Sequence, residues 1–115
     1  MIGDETAGVV NDRVQQAFER LRREYLEEMP ARLEALDAAL RAGDEAALRT
    51  GLHQLAGSGG SHGFPGISAA ARELERELPT ATPGDSAAAL ATLHDAVIAA
   101  QLQLTVKRRE NRSGT

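Results

Sequence analysis

The stretch LHQLAGSGGSHGF, residues 52–64, joins a helical repeat to a run of small residues. Leu52 and Leu55 continue a three-and-four spacing that begins at Leu48, and this spacing predicts a helix with one buried face. Each glycine inside a helix costs about 0.5–1 kcal/mol relative to alanine, so a helix through this run needs a compensating reason. The alternative is that the helix ends at Gly57 and a flexible loop follows; Pro65 favours the later stop.

Helical spacing also precedes this stretch. Over about 11–42 it predicts two helices or one bent helix, with Asn11 as the N-cap and Pro30 at a helix start or a kink. Gly43 accepts the left-handed conformation at a helix end, and Asp44 caps the amides of the next helix. The pair predicts a tight antiparallel turn.

A fourth helix is predicted over about 67–78, and a last helix runs from a cap at Asp85 or Ser86 to about Lys107. No segment has the alternation of a strand. Short connections favour antiparallel neighbours. The sequence therefore predicts an all-α fold, an antiparallel up-and-down four-helix bundle with an additional N-terminal helix.

Composition limits what the chain does. Its 115 residues, 42% of them hydrophobic, fit a single domain over 1–115, with ends at about 1–9 and 109–115 that we expect to be disordered or frayed. A net charge of −4 opposes binding to nucleic acid or an anionic membrane. No apolar run approaches the roughly 18–20 residues of a membrane span, and cysteine is absent. We expect a cytoplasmic protein, monomeric by default, with protein partners.

The three histidines differ in their predicted exposure. At about 100° per residue, His53 lies roughly 140° from the leucine stripe and should face solvent, whereas His62 and His94 lie within about 40° of apolar faces. Their facings diverge and no pair has the i, i+4 spacing of a metal site, so we expect no bound metal.

The surroundings of His53 favour a functional role over an ordinary surface histidine. Gly57 and Gly60 follow it on the same face and leave that face flat for another protein. An exposed neutral imidazole is a nucleophile that accepts and donates phosphoryl groups. Arg49, one turn earlier, is either an ordinary surface residue or the positive charge for a phosphate on His53.

Residues 52–64 closely resemble the histidine-containing phosphotransfer (HPt) domain of bacterial phosphorelays, and residues 26–33 are similar to the family's second helix. The resemblance covers roughly 25–78. The family's pattern of a histidine, an aliphatic, a small pair and a later glycine is matched in register by His53, Leu55, Gly57, Ser58 and Gly63. Four positions of the next helix agree as well: Ile67, Ala70, Leu74 and Glu75.

The resemblance implies a phosphoryl carrier without kinase activity of its own. His53 would accept a phosphoryl group from a receiver-domain aspartate of a hybrid sensor histidine kinase and pass it to the receiver domain of a response regulator. The receiver would supply Mg²⁺, and the chain would need no cofactor. In agreement, the sequence has no nucleotide-binding loop of the Gly-x-x-x-x-Gly-Lys-Ser/Thr type.

The resemblance also assigns supporting roles around His53. We expect the phosphate to be supported by Arg49, Gln54 and Ser58. The partner is expected to dock on Ala56, Gly57, Gly60 and Phe64. One departure matters, because Ala56 stands where the family has a lysine beside the phosphate, and Arg49 is the candidate substitute. His62 also departs from the family, which more often has an apolar residue there.

Two alternatives stay open. In the first, the bundle is an adaptor that binds a receiver or a kinase without carrying phosphate, and Ala56 is a sign that phosphotransfer has been lost. Otherwise it is the excised phosphotransfer domain of a larger histidine kinase, in which His53 keeps its role as acceptor and the donor differs.

Overall fold

The computed structural model describes the backbone of residues 2–113 and the side chains of residues 11–107 and of Arg109. This part of the chain forms α1 (Ile2–Glu27), α2 (Met29–Ala42), α3 (Glu45–Ser61), α4 (Pro65–Glu77) and α5 (Pro83–Ser113). No strand occurs between residues 2 and 113, so the predicted all-α class is confirmed.

Four of the helices enclose one core. α2 contacts α3, α3 contacts α4, α4 contacts α5, and α5 returns to α2, while α1 contacts α2 and α5. The predicted stripe of α3 is buried, and the largest side chains with almost no exposed surface are Met29, Leu52, Leu55, Ile67, Leu74, Leu93 and Val97. A closed ring of contacts around leucine-rich faces is the packing that a four-helix bundle requires.

The segment before the turn at Gly43 is two helices separated by one turn residue, Glu28. Pro30 lies in the first turn of α2, where its missing N–H is not needed. The start of α1 differs from the prediction, because the helix already begins at Ile2 and runs through Asn11. Residues 2–10 contain no proline that would stop it.

The predicted turn between α2 and α3 is confirmed. Gly43 has φ 68°, in the left-handed region that glycine adopts without strain. The Asp44 N–H donates to the Ala39 carbonyl at 2.9 Å, which closes α2. The Asp44 carboxylate accepts from the Ala47 N–H at 3.1 Å, which caps α3.

The glycine-rich run is helical to Ser61, so the alternative of an early end at Gly57 is wrong. Gly59 supplies a reason: a Cβ there would lie 3.0 Å from the backbone nitrogen of Ser68 on α4. A side chain at this position would push α3 and α4 slightly apart, so glycine suits their close approach. The chain then turns at Gly63, which has φ 84°.

The starts of α4 and α5 correct two predictions. α4 begins at Pro65 and not at about residue 67, since proline is favoured at the first helical position. α5 begins at Pro83 and its cap is Thr82, not Asp85 or Ser86. The Asp85 N–H donates to Thr82 Oγ1 at 3.1 Å, and the Thr82 N–H donates to Asp85 Oδ2 at 3.4 Å. This is a reciprocal capping box.

The two outer helices are longer than the sequence suggested. α1 begins at Ile2 and α5 extends to Ser113. That the ends at about 1–9 and 109–115 are disordered or frayed stays a prediction. Met1, Gly114 and Thr115 lie outside the described residues.

α5 contains a segment that the sequence analysis did not expect: Pro83–Lys107 is long and apolar enough to cross a membrane by length and composition. Leu93 and Val97 of this span belong to the core of the bundle.

Candidate functional site

His53 lies on the outer face of α3, between the buried residues Leu52 and Leu55. Its side chain is 78% exposed, so the predicted exposure is confirmed. The ring is fixed from one side only: Nδ1 lies 3.1 Å from Oε1 of Glu75, a residue of α4.

The Glu75 contact determines which ring nitrogen of His53 is free. A carboxylate oxygen only accepts hydrogen bonds, so Nδ1 of the neutral ring carries the proton and donates it. Nε2 then has an unshared lone pair. The Glu75 side chain is 27% exposed, which places its charge at the edge of the bundle and next to the ring. In His53 the Nδ1 proton is therefore donated to Glu75, and the Nε2 lone pair faces solvent.

Sequence reasoning matched Glu75 to the family pattern but gave it no role. It lies 22 residues after His53, so no local spacing connects the two. The signal that could have found it is the packing of α4. Leu74 is buried beside it and Ala71 lies one turn earlier, which places Glu75 at the border of the face that meets α3.

The glycines that follow His53 have different environments. A Cβ on Gly57 would meet nothing within 4 Å, and this residue is exposed. A Cβ on Gly60 would lie 3.6 Å from Oγ of Ser68, which is an ordinary contact. Gly59 is the residue that packing against α4 requires. Packing within the chain therefore does not explain Gly57, and its absent side chain leaves the surface beside His53 open.

None of the three residues predicted to support a phosphate is seen in contact with His53. The Arg49 guanidinium pairs with Glu45 at 3.2 Å, one turn further from the histidine. Gln54 is exposed on α3 and borders a small cavity toward α2. The Ser58 hydroxyl lies 2.8 Å from the hydroxyl of Tyr25.

Two of the four predicted docking residues belong to the core. Ala56 is 4% exposed and its carbonyl accepts a hydrogen bond from the Ser68 hydroxyl. Phe64 is 5% exposed and stacks on Tyr25, with ring centroids 5.8 Å apart. The reason is that α4 and α1 cover these side chains, so of the four predicted residues only Gly57 and Gly60 are open to a partner.

The other two histidines are partly buried, as predicted. The His62 ring stacks on Tyr25 with centroids 4.3 Å apart, and its Nδ1 donates to the Ser58 carbonyl at 2.8 Å. Burial raises the pKa of the Tyr25 phenol, an effect that its hydrogen bond with Ser58 opposes. His94 on α5 pairs with Asp37 on α2, with Nε2 and Oδ1 3.2 Å apart. Both imidazoles hold helices together.

The described part of the chain is all-α, and it presents the exposed imidazole of His53 on the outer face of α3. The family model described as the Hpt domain matches residues 20–107. The chain therefore belongs to the Hpt-domain family, and this membership supports a phosphotransfer role in phosphorelays. No curated protein and no solved structure matches the chain.

Proposed function

We propose that the chain is a histidine phosphotransfer protein in which Nε2 of His53 accepts a phosphoryl group from a receiver-domain aspartate of a hybrid sensor kinase. His53 then passes the group to the receiver-domain aspartate of a response regulator. Family membership supports this class of reaction. The observation that carries the choice of residue is the geometry of His53, exposed, held at Nδ1 by Glu75 and followed by the open position of Gly57.

The transfer is a substitution at phosphorus. The lone pair of Nε2 forms a bond to phosphorus while the bond from phosphorus to the aspartate oxygen breaks, and the aspartate leaves as a carboxylate. The ring keeps its Nδ1 proton and becomes an imidazolium. Its positive charge lies beside the Glu75 carboxylate, which stabilises it. Attack by the aspartate of the second receiver returns His53 to the neutral ring.

The proposal divides the work between the chain and its partners. The chain contributes the nucleophile and an open docking surface, and the receiver contributes Mg²⁺ and the groups that align the phosphoryl group. We therefore expect a carrier with no bound cofactor and no kinase activity of its own. That it is a cytoplasmic monomer, folded as an antiparallel up-and-down bundle, is part of the same proposal.

A second candidate function is an adaptor that binds a receiver or a kinase without carrying phosphate. Ala56 is the observation that favours it, because its side chain is apolar and buried and supplies no charge beside His53. A phosphotransfer domain excised from a larger histidine kinase is also compatible with the site, with a different donor to His53.

The test is to incubate the purified chain with Mg²⁺ and receiver domains charged with acetyl phosphate. Mass spectrometry that preserves phosphohistidine then follows the label. We expect one acid-labile phosphate, on His53. Receiver binding with no label from any donor would overturn the carrier and support the adaptor.

A further inference from the structure

Apart from the imidazolium of His53 itself, α3 places no free positive side chain beside a phosphoryl group on Nε2. A phosphoryl group on Nε2 adds a charge of about −2 next to the Glu75 carboxylate. One turn after His53, α3 has the buried Ala56 and the side-chain-free Gly57. One turn before it, Arg49 is turned toward Glu45. A second cation beside the phosphoryl group would therefore come from another helix or from the partner.

The contacts between α3 and α4 show which residue of α4 lies across from the turn that follows His53. His53 meets Glu75, and Gly60 meets Ser68, so the two helices run in opposite directions along this face. Arg72 is four residues after Ser68 and three before Glu75. Residues at these spacings share a helix face, with Cβ atoms about 5–6 Å apart. Arg72 therefore lies on the rim of the groove between α3 and α4, level with Gly57.

The surroundings of Arg72 leave its guanidinium available. The residue is exposed, and among the side chains that the structure describes none forms an ion pair or a hydrogen bond with it. Across the groove Gly57 has no side chain, and the space where its Cβ would be is open for 4 Å.

We propose that Arg72 binds the phosphoryl group on His53 and replaces, from the opposite helix, the positive charge that Ala56 does not provide. This inference rests on the proposed function. Arginine suits the role because its planar guanidinium donates two parallel hydrogen bonds to phosphate oxygens. The open position of Gly57 then has a second use, because it leaves space for the Arg72 side chain on the surface of α3.

The experiment measures the phosphohistidine first without a partner and then with one. Phosphoramidate, a small phosphoryl donor, labels the purified full chain. ³¹P NMR then follows the phosphohistidine signal against pH, and a separate assay measures the equilibrium of transfer with a receiver domain. The variants are Arg72→Gln and Arg72→Lys. Arg49→Gln tests the rival cation on α3, and Arg41→Gln is the control that removes the same charge elsewhere.

We expect Arg72→Gln to shift the transfer equilibrium away from phosphohistidine by roughly threefold to tenfold, the size of a screened charge-assisted contact. The pKa of the phosphoryl group should rise in this variant, because a nearby cation favours the dianion and the variant removes that cation. Arg72→Lys should recover part of both effects, and Arg41→Gln should match the wild type. A purely structural role of Arg72 would leave the phosphoryl pKa unchanged.

The outcomes separate this inference from the function on which it rests. A labelled wild type whose equilibrium and phosphoryl pKa do not change in Arg72→Gln overturns the role of Arg72 and leaves His53 as acceptor. The same changes in Arg49→Gln instead would assign the cation to α3 and overturn the inference too. A wild type that takes no label from phosphoramidate or from any receiver overturns both proposals. Arg72 is exposed, so circular dichroism melting should show all variants folded.

Discussion

The molecule contains two histidine–carboxylate pairs that connect neighbouring helices, and they resemble each other closely. His53 and Glu75 join α3 to α4 at 3.1 Å, and His94 and Asp37 join α5 to α2 at 3.2 Å. The side chain of His53 is 78% exposed, against 37% for His94. The pairs share their chemistry and differ in access.

The residue one turn after each histidine accounts for part of this difference. Gly57 follows His53 at i+4 and leaves open space. Ile98 follows His94 at the same spacing and presents a branched side chain, and Val97 beside it is buried in the core. The same hydrogen-bonded pair is therefore open to a partner where the next turn lacks a side chain, and less open where the next turn carries one. Under the proposed function, this difference in access separates an acceptor histidine from one that only connects helices.

Removing each imidazole is the sharpest test of this comparison. His53→Gln should abolish labelling by charged receivers and by phosphoramidate, because the other two histidines, His62 and His94, are partly buried. His94→Gln should label at the wild-type rate. Both variants should melt near the wild type, since exposed and half-exposed pairs contribute little to stability. Label retained in His53→Gln, or lost in His94→Gln, would reverse the assignment.

A large side chain at position 57 should block access of a receiver to His53 without changing the imidazole itself. Gly57→Leu is expected to lower transfer from a receiver domain at least roughly tenfold, because a side chain at the centre of a small interface blocks docking. Labelling by phosphoramidate should fall much less, because this donor is small.

The matched control for Gly57→Leu is Gly66→Leu. Gly66 also has nothing within 4 Å of its Cβ position, and it lies two residues before Ser68, about 200° round α4 and away from α3. The Gly66→Leu variant should accept phosphoryl groups from a receiver at the wild-type rate. Equal transfer in both variants would mean that the receiver docks on a different face.

Much of this site follows from the pattern of one helix. The spacing of Leu48, Leu52 and Leu55 places His53 on the outer face of α3, and the caps at Gly43 and Asp44 fix where that helix begins. These are local features, since each depends on residues within a turn or two.

The parts that sequence reasoning missed depend on a second helix. A single-helix projection treats one face as buried, but α3 packs against both α2 and α4. Ala56 and Phe64 were therefore expected at the surface and lie in the core. The contrast between Gly57, which is open, and Gly59, which meets the α4 backbone, has the same origin. So does Glu75, whose contact with His53 exists only once the two helices are packed.

Neutralising the carboxylates gives the smallest effects and tests whether the two pairs differ in access alone. Glu75→Gln keeps a hydrogen-bond acceptor for Nδ1 but removes the charge that stabilises the imidazolium, so labelling by phosphoramidate should slow by roughly threefold to tenfold. Asp37→Asn should leave labelling unchanged and lower the free energy of unfolding by less than about 1 kcal/mol, because both side chains of its pair are about one-third exposed. Initial rates over a range of pH, with chemical denaturation of both variants, provide the measurement. If Glu75→Gln labels as fast as Asp37→Asn at every pH, Glu75 only connects helices, as Asp37 does, and the exposure of His53 alone accounts for its reactivity.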